Sequence, residues 1–332
     1  MLSKMSPVRK IWLGREYEVG ELEAGLDELS GGHGRLFLIT GEPGIGKTRM
    51  ADELGVMAAA RGVSVHWGRA WEAGGAPPYW PFIQVLRSVC RGLDADALSA
   101  LAGVHGTALL ELMPELRQAI PGLASWRARS TTDRFELFDG VSSFLHAVAA
   151  KAPQLVVLDD LHVADPSSLL LLQFLERDLR SGALLVVGTY RDAEARLAPD
   201  VGRTLTLVAR EATVLPLRRL SRREVADFVT QATGAAPSID QVDAIQRRTE
   251  GNPLFLRELL RLPGTSARQP EGIREVVRAR LALLTADVRL ILGAAAVLGR
   301  EFAFDPLVEI VRAPDGKTLA AETSEPDVSA LL

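Results

Sequence analysis

Leu36-Phe37-Leu38-Ile39-Thr40-Gly41-Glu42-Pro43-Gly44-Ile45-Gly46-Lys47-Thr48-Arg49 is the stretch on which the reading of this chain turns. A short apolar run suited to a buried strand passes into a glycine-rich turn, and helix-forming sequence follows. A strand, a turn and a helix N-terminus in that order aim successive backbone N–H groups, and the positive end of the helix, at one point in front of the turn. Such a concave set of amides suits phosphate. Gly41, Glu42, Pro43, Gly44, Ile45 and Gly46 then form the cradle, Lys47 reaches the β- and γ-phosphates, and Thr48 offers its hydroxyl to Mg²⁺. Arg49, next in the chain, is counted with the nucleotide contacts. An ordinary glycine-rich turn before a helix is the plainer alternative, and the strand and helix on either side disfavour it.

Working outward, Leu36–Thr40 is one of five strand-like apolar runs, with Val63–Trp67, Leu155–Leu158, Leu184–Gly188 and Thr213–Leu217. They alternate with helical stretches, the pattern of a parallel sheet covered on both faces. Between the second and third lies an insert, Gly68 to Ala152, largely helical in pattern and broken near its start by Pro77-Pro78-Tyr79-Trp80-Pro81. Tyr79, Trp80 and Phe82 are read as packing residues in preference to a docking surface.

The third run ends in two carboxylates, Leu155-Val156-Val157-Leu158-Asp159-Asp160. A buried strand needs no acid for its own stability. Beside the phosphate loop, Asp159 holds Mg²⁺ through water, and Asp160 accepts a proton from the attacking water or orients it. Adjacent carboxylates repel each other unless a cation or hydrogen bonds compensate, so the pair makes most sense near a metal. Asp165-Pro166 reads as an N-cap with Pro at the first helical position, opening a helix from Ser167 to Asp178. His162, between these motifs, is taken as a loop or packing residue. The fourth run leads into Thr189-Tyr190-Arg191-Asp192, and the C-terminal ends of parallel strands carry ligands, so Thr189 and Arg191 are expected to face the γ-phosphate. The alternative for Arg191 is a surface pair with Asp192.

Beyond Leu217 the pattern is all-helical. Ser221-Arg222-Arg223-Glu224 is a capping box that starts a helix through Gln231. The basic run Arg218, Arg219, Arg222 and Arg223 is read as a solvated face ahead of a nucleic-acid or trans-acting patch. Thr249-Glu250-Gly251-Asn252-Pro253 breaks the helical pattern and restarts it at Leu254.

Bulk properties agree with a soluble chain. Its 332 residues, 47% hydrophobic and 24% charged, suffice for more than one core. A net charge of -4 argues against chain-wide affinity for nucleic acid. Cys90 is the single cysteine, which leaves no intrachain disulfide or cysteine-based zinc site. No apolar leader core follows Met1, and nowhere do 18 apolar residues run together, so a cytoplasmic location without membrane contact is expected.

These motifs in this order resemble the STAND subdivision of AAA+ ATPases, the module at the front of LuxR-type regulators and of cyclase-linked or repeat-linked signalling proteins. The resemblance runs from Trp12 to Phe302. Besides the loop, the two acids with Leu161-His162, and Gly188-Thr189-Tyr190-Arg191-Asp192, it rests on Leu13-Gly14-Arg15-Glu16, Trp71 to Pro81, Thr249 to Pro253 and Ala295 to Phe302. It implies an α/β P-loop NTPase (AAA+/STAND) with a parallel five-stranded sheet, then a helical lid and a partial winged-helix-like segment. It implies ATP/ADP and Mg²⁺ as ligands, slow hydrolysis, self-association in the ATP state and an unidentified protein effector or inducer. By the same resemblance Gly14 and Arg15 border the adenine or stabilise the resting form, Arg191 is the first sensor and Pro253 contacts the base. Val163 departs from the tryptophan usual in the family. The expected divisions are an N-terminal segment 1–32, a core 33–217 containing the insert 68–152, a lid 218–265, and a winged-helix-like segment with a weakly ordered tail, 266–332. The output domain is expected to be absent from this chain. An origin-recognition-like loader acting on nucleic acid, or a scaffold that never hydrolyses its nucleotide, are the alternatives.

Overall fold

The computed structural model describes residues 13–71, 75–103, 106–119, 131–261 and 285–298. Five parallel strands form one sheet: β1 Arg35–Thr40, β2 Ser64–Arg69, β3 Gln154–Asp159, β4 Leu184–Tyr190 and β5 Thr213–Pro216, in the order β2-β3-β4-β1-β5. All five apolar runs therefore become strands. The second goes further than its apolar residues suggest, because Gly68 and Arg69 continue the ladder on Leu158 and Asp159. The insert read from Gly68 thus lends its first two residues to the sheet.

Strand alternation distributes the apolar side chains between two cores. Phe37, Ile39, Leu155, Val157, Leu185 and Val187 share a face with Leu22, Leu26, Met50 and Leu54. Leu36, Leu38, Val156, Leu158, Leu184 and Val186 share the other with Phe82, Leu86, Phe144, Leu172 and Leu205. Each such side chain contributes about 1.5–3 kcal/mol on burial. With both faces covered, every residue of β3 is buried, which is why these strands read as continuous apolar runs.

Helices α1 Glu16–Ser30, α2 Lys47–Ala60, α3 Trp80–Cys90, α4 Ala95–Ala102, α5 Gly106–Leu112, α6 Leu116–Ala119, α7 Thr131–Ala149, α8 Pro166–Glu176, α9 Asp192–Leu197, α10 Pro199–Glu211 and α11 Arg222–Thr233 accompany the sheet. Their ends follow the local chemistry. Asp165 caps α8 by accepting from the Ser168 N–H, with Pro166 at the first position. Ser221 and Glu224 close a complete capping box on α11. Phe82 is buried, and Tyr79 and Trp80 pack against the larger core, in keeping with a packing role. Cys90 is half-buried, its thiol pushed up to about 11 chiefly by burial.

Two compact units are distinguished: the described residues up to Ala236 with Gly251–Leu254, and Pro237–Glu250 with the described residues from Phe255 on. To the second belong α12 Ile239–Thr249, opened by a Ser238/Gln241 capping box, most of α13 Pro253–Arg261, and α14 Ala286–Leu298. Thus Pro253 does begin a helix, and α14 lies within the 266–332 segment expected to be winged-helix-like. Glu271 to Leu284, Glu72 to Gly74, Gly299 to Phe302 and the tail fall outside the described residues. Among the described residues no helix is long and apolar enough to cross a membrane.

Candidate functional site

Strand order places the site. The chain leaves β1 for the far edge at β2, returns through β3 and β4, and passes β1 again to β5. The C-terminal ends of β1, β4 and β3 therefore open at a topological switch point, where α/β sheets hold their ligands. Gly41–Gly46 emerges from β1, Thr189–Arg191 from β4, and Asp159-Asp160 from β3.

The loop owes its shape to backbone angles open to glycine: φ is 136° at Gly41, 75° at Gly44 and 108° at Gly46. A Cβ on Gly41 would meet the Leu217 carbonyl at 2.8 Å, and one on Gly44 the Leu254 side chain at 2.8 Å. Glu42 and Pro43 form the exposed rim of the turn, Ile45 is buried, and Arg49 is half-exposed in the first turn of α2. Lys47, 6% exposed, folds back over the loop, its Nζ donating to the carbonyls of Gly41 (2.8 Å) and Glu42 (2.9 Å). Burial, then the charge of Arg191, lowers its pKa; Asp160, Glu194 and Asp192 oppose the shift.

Asp159 is fully buried at the end of β3. Thr189 Oγ1 donates to its Oδ1 at 2.6 Å, and Thr48 Oγ1 to Oδ1 at 3.0 Å. Arg69 donates Nε (2.9 Å) and Nη2 (2.6 Å) to Oδ2. Thr48, Thr189 and Arg69 thus converge on Asp159, and Lys47 precedes Thr48 at the start of α2. The hydroxyl and carboxylate are hard oxygen donors that fit Mg²⁺, which keeps waters and phosphate oxygens in its shell. Among the described residues no cluster of three His, Cys, Asp or Glu side chains able to hold a metal occurs.

Asp160 adopts a left-handed conformation, φ 60° and ψ 45°, and its N–H donates to Thr189 Oγ1 at 3.0 Å. Asp accepts that region more readily than most residues, and the Asp160 carboxylate is partly exposed. Arg191 makes an ion pair with Glu194, Nη1 lying 3.0 and 2.9 Å from the two carboxylate oxygens. His162 is buried beside both acids. Its Nε2 is 2.9 Å from Glu194 Oε2 and its Nδ1 3.9 Å from Asp160 Oδ1, yet neither nitrogen is aligned for a hydrogen bond. Burial, followed by Arg191, lowers the His162 pKa; Asp160 and Glu194 act the other way, and Lys47 adds to the lowering.

A belt of contacts holds the loop from outside. Arg15, 7% exposed, donates to the carbonyls of Arg218 (2.5 Å) and Ile45 (3.5 Å). Its pKa is lowered by burial, against the pull of Glu18, Glu224 and Glu16. Gly14 has φ 68°, and a Cβ there would overlap the Glu224 carboxylate. Arg219 pairs with Glu42 at 2.8 Å, so one member of the basic run is a partner of the phosphate loop in its own chain. Asn252 donates to the Pro43 carbonyl at 3.0 Å and accepts from the Leu254 N–H at 3.0 Å. Arg69, Glu194, Arg219 and Asn252 were not among the sequence-derived site residues. Asn252 lay inside a quoted motif, whereas nothing local marked Arg69 or Glu194.

The AAA ATPase domain family matches residues 11–187. An uncharacterized protein of Rhizobium meliloti (strain 1021) is 25% identical over 345 residues, an alignment taking in 94% of this chain and 32% of that protein. The chain therefore spans about a third of the length of the curated relative it matches. Among solved structures, the Aeropyrum pernix ORC1 protein in complex with DNA has 17% identity and a TM-score of 0.49, covering 91% of this chain and 78% of that one. A Pyrococcus horikoshii STAND protein with a tetratricopeptide repeat sensor has 16% identity and a TM-score of 0.46, covering 93% and 38%. Cdc6p from Pyrobaculum aerophilum has 16% identity and a TM-score of 0.49, covering 98% and 86%.

Proposed function

Because the chain belongs to the AAA ATPase domain family, we propose that it binds ATP with Mg²⁺ at the Gly41–Thr48 loop and acts as a slowly hydrolysing, STAND-type switch in a cytoplasmic signalling or transcription regulator. One observation carries the switch reading. The groups that a triphosphate would recruit already have partners inside the chain: Lys47 rests on the Gly41 and Glu42 carbonyls, and Arg191 on Glu194. A protein with two competing sets of partners for the same cations has two arrangements, and a ligand shifts the balance by its differential affinity for them.

In the nucleotide-bound arrangement, Lys47 exchanges carbonyls for phosphate oxygens, and the loop N–H groups from Gly41 to Thr48, with Arg49 beside them, complete the cradle. Thr48 and Asp159 would hold Mg²⁺, which when bound neutralises charge on the β- and γ-phosphates. Thr189 orients Asp159 through its 2.6 Å bond. Asp160 polarises the water that attacks the γ-phosphate in line, and the loop amides and Lys47 stabilise the charge that develops. Arg191 exchanges Glu194 for the γ-phosphate and so reports which nucleotide is present. Gly14 and Arg15 act for the resting form, since Arg15 ties Ile45 of the loop to Arg218. Pro253 stacks on the base. Self-association in the ATP state and an effector carried by another segment or another protein complete the proposal.

The test is to identify the nucleotide that co-purifies with the chain and to measure its mass in solution with ADP and with ATP. Bound ADP on a monomer that becomes a larger species in ATP is expected. Absence of adenine-nucleotide binding overturns the proposal. ATP turnover stimulated by DNA would replace the switch with an origin-recognition-like loader, and nucleotide-dependent assembly without turnover would leave a scaffold.

A further inference from the structure

Among the described residues, three side chains donate hydrogen bonds to Asp159, and only one of the three is charged. Thr48 and Thr189 offer neutral hydroxyls, whereas Arg69 makes the sole ion pair of this carboxylate among the described residues. The adjacent acids at the end of β3 therefore do find a compensating cation, supplied by the neighbouring strand. Register produces the meeting: Arg69 is the partner of Asp159 in the β2–β3 ladder, and side chains at one level of adjacent strands stand side by side on the same face. The end of β2 is held in place. Gln84 donates to the Arg69 carbonyl at 2.8 Å and accepts from its N–H at 3.4 Å, and the Ala70 N–H bonds the Asp159 carbonyl at 3.0 Å. Gly68 has no Cβ, which lets the Pro81 carbonyl at the start of α3 press against the strand.

The two ends of this ion pair differ. The Asp159 carboxylate is fully buried, while 59% of the Arg69 side chain is exposed. Separation would return the guanidinium to water at little cost and leave the carboxylate without a counter-charge. The carboxylate therefore has to exchange one cation for another. A guanidinium with two N–H groups on Oδ2 and a divalent ion on the same carboxylate repel each other at such short range.

Resting on the reading that this site binds nucleotide with Mg²⁺, we propose that Arg69 is the internal counter-cation of Asp159, which Mg²⁺ displaces, and that Arg69 thereby sets the Mg²⁺ concentration needed for nucleotide uptake. Arg69 is a positioning residue here, since it acts through Asp159. If it instead held Asp159 in shape for the metal, its removal would shift the requirement in the opposite direction.

The experiment titrates Mg²⁺ into the full chain with a fluorescent adenine nucleotide, comparing wild type with R69Q and R69K, and follows Mn²⁺ binding by electron paramagnetic resonance. R69Q is expected to lower the Mg²⁺ midpoint about two- to fivefold, the scale of an ion pair whose cation is largely exposed. R69K, which keeps the charge without the two-pronged contact, should fall in between and keeps the test open should R69Q fold poorly. The gap should narrow as salt screens the pair. An unchanged or raised midpoint in both variants overturns the proposal and leaves nucleotide binding standing. Weaker nucleotide binding by R69Q in EDTA also overturns it, because Arg69 would then act on the nucleotide directly. A wild-type chain that binds no adenine nucleotide overturns both readings at once.

Discussion

Asp159, at the C-terminal end of β3, and Glu194, just beyond that of β4, are carboxylates held in contrasting ways. Asp159 ends a strand bonded on both sides, is fully buried, and receives hydrogen bonds from two threonines and an arginine. Glu194 lies on the six-residue helix α9, its side chain 37% exposed, with Arg191 bonded to it and His162 near but misaligned. On the proposed function, the sheet-held carboxylate is the fixed partner of Mg²⁺, and the half-exposed one on the short helix is the acid that gives up its arginine to the γ-phosphate.

That contrast can be broken or sharpened in order of effect. The largest is at Asp160, which lies between the two: Asp160→Asn should lower ATP turnover by about 10²- to 10⁴-fold, the usual contribution of a positioned general base. Nucleotide affinity should stay the same, so equal turnover in a phosphate-release assay would remove Asp160 from the chemistry. Next comes Lys47, whose charge interacts with Asp160, Glu194 and Asp192. Lys47→Ala should weaken ATP binding by roughly 100-fold or more, on the scale of two charge-assisted hydrogen bonds, and calorimetric titration will show it.

The comparison itself is tested by stability. Asp159→Ala leaves the buried Thr189 hydroxyl and the partly buried Thr48 hydroxyl without their acceptor and should cost about 1–3 kcal/mol in urea unfolding. Glu194→Ala removes a partly exposed pair and should cost under about 1 kcal/mol. Similar losses would mean that the two acids are held alike.

The smallest effect concerns pH. His162 has its pKa lowered in the folded chain, by burial and Arg191 first, so the folded form binds fewer protons than the unfolded form. The stability this histidine contributes is present above its ordinary value of about 6.5 and is lost as pH falls below it. His162→Gln should therefore flatten the acid side of the stability profile. His66 is shifted in the same direction and remains in the variant, so the difference between the two unfolding curves isolates His162. A difference that does not vary with pH would show that His162 does not change its protonation on folding.

Much of the molecule was legible along the chain. Apolar runs marked all five strands, the glycine spacing marked the loop, and Asp165-Pro166 and Ser221-Arg222-Arg223-Glu224 marked helix starts that the structure contains. Periodicity, turn angles and end caps depend on residues within a few positions of one another, so the sequence by itself determined them. Tertiary structure alone decided the distant polar partners. Arg69 meets Asp159 across 90 positions, Arg219 meets Glu42 across 177, Arg15 reaches the Arg218 carbonyl across 203 and Asn252 the Pro43 carbonyl across 209. Each of these pairs arises because strand order and register bring distant ends of the chain to one edge of the sheet. A side chain's identity states which partner it can take, and only the fold states which one is within reach.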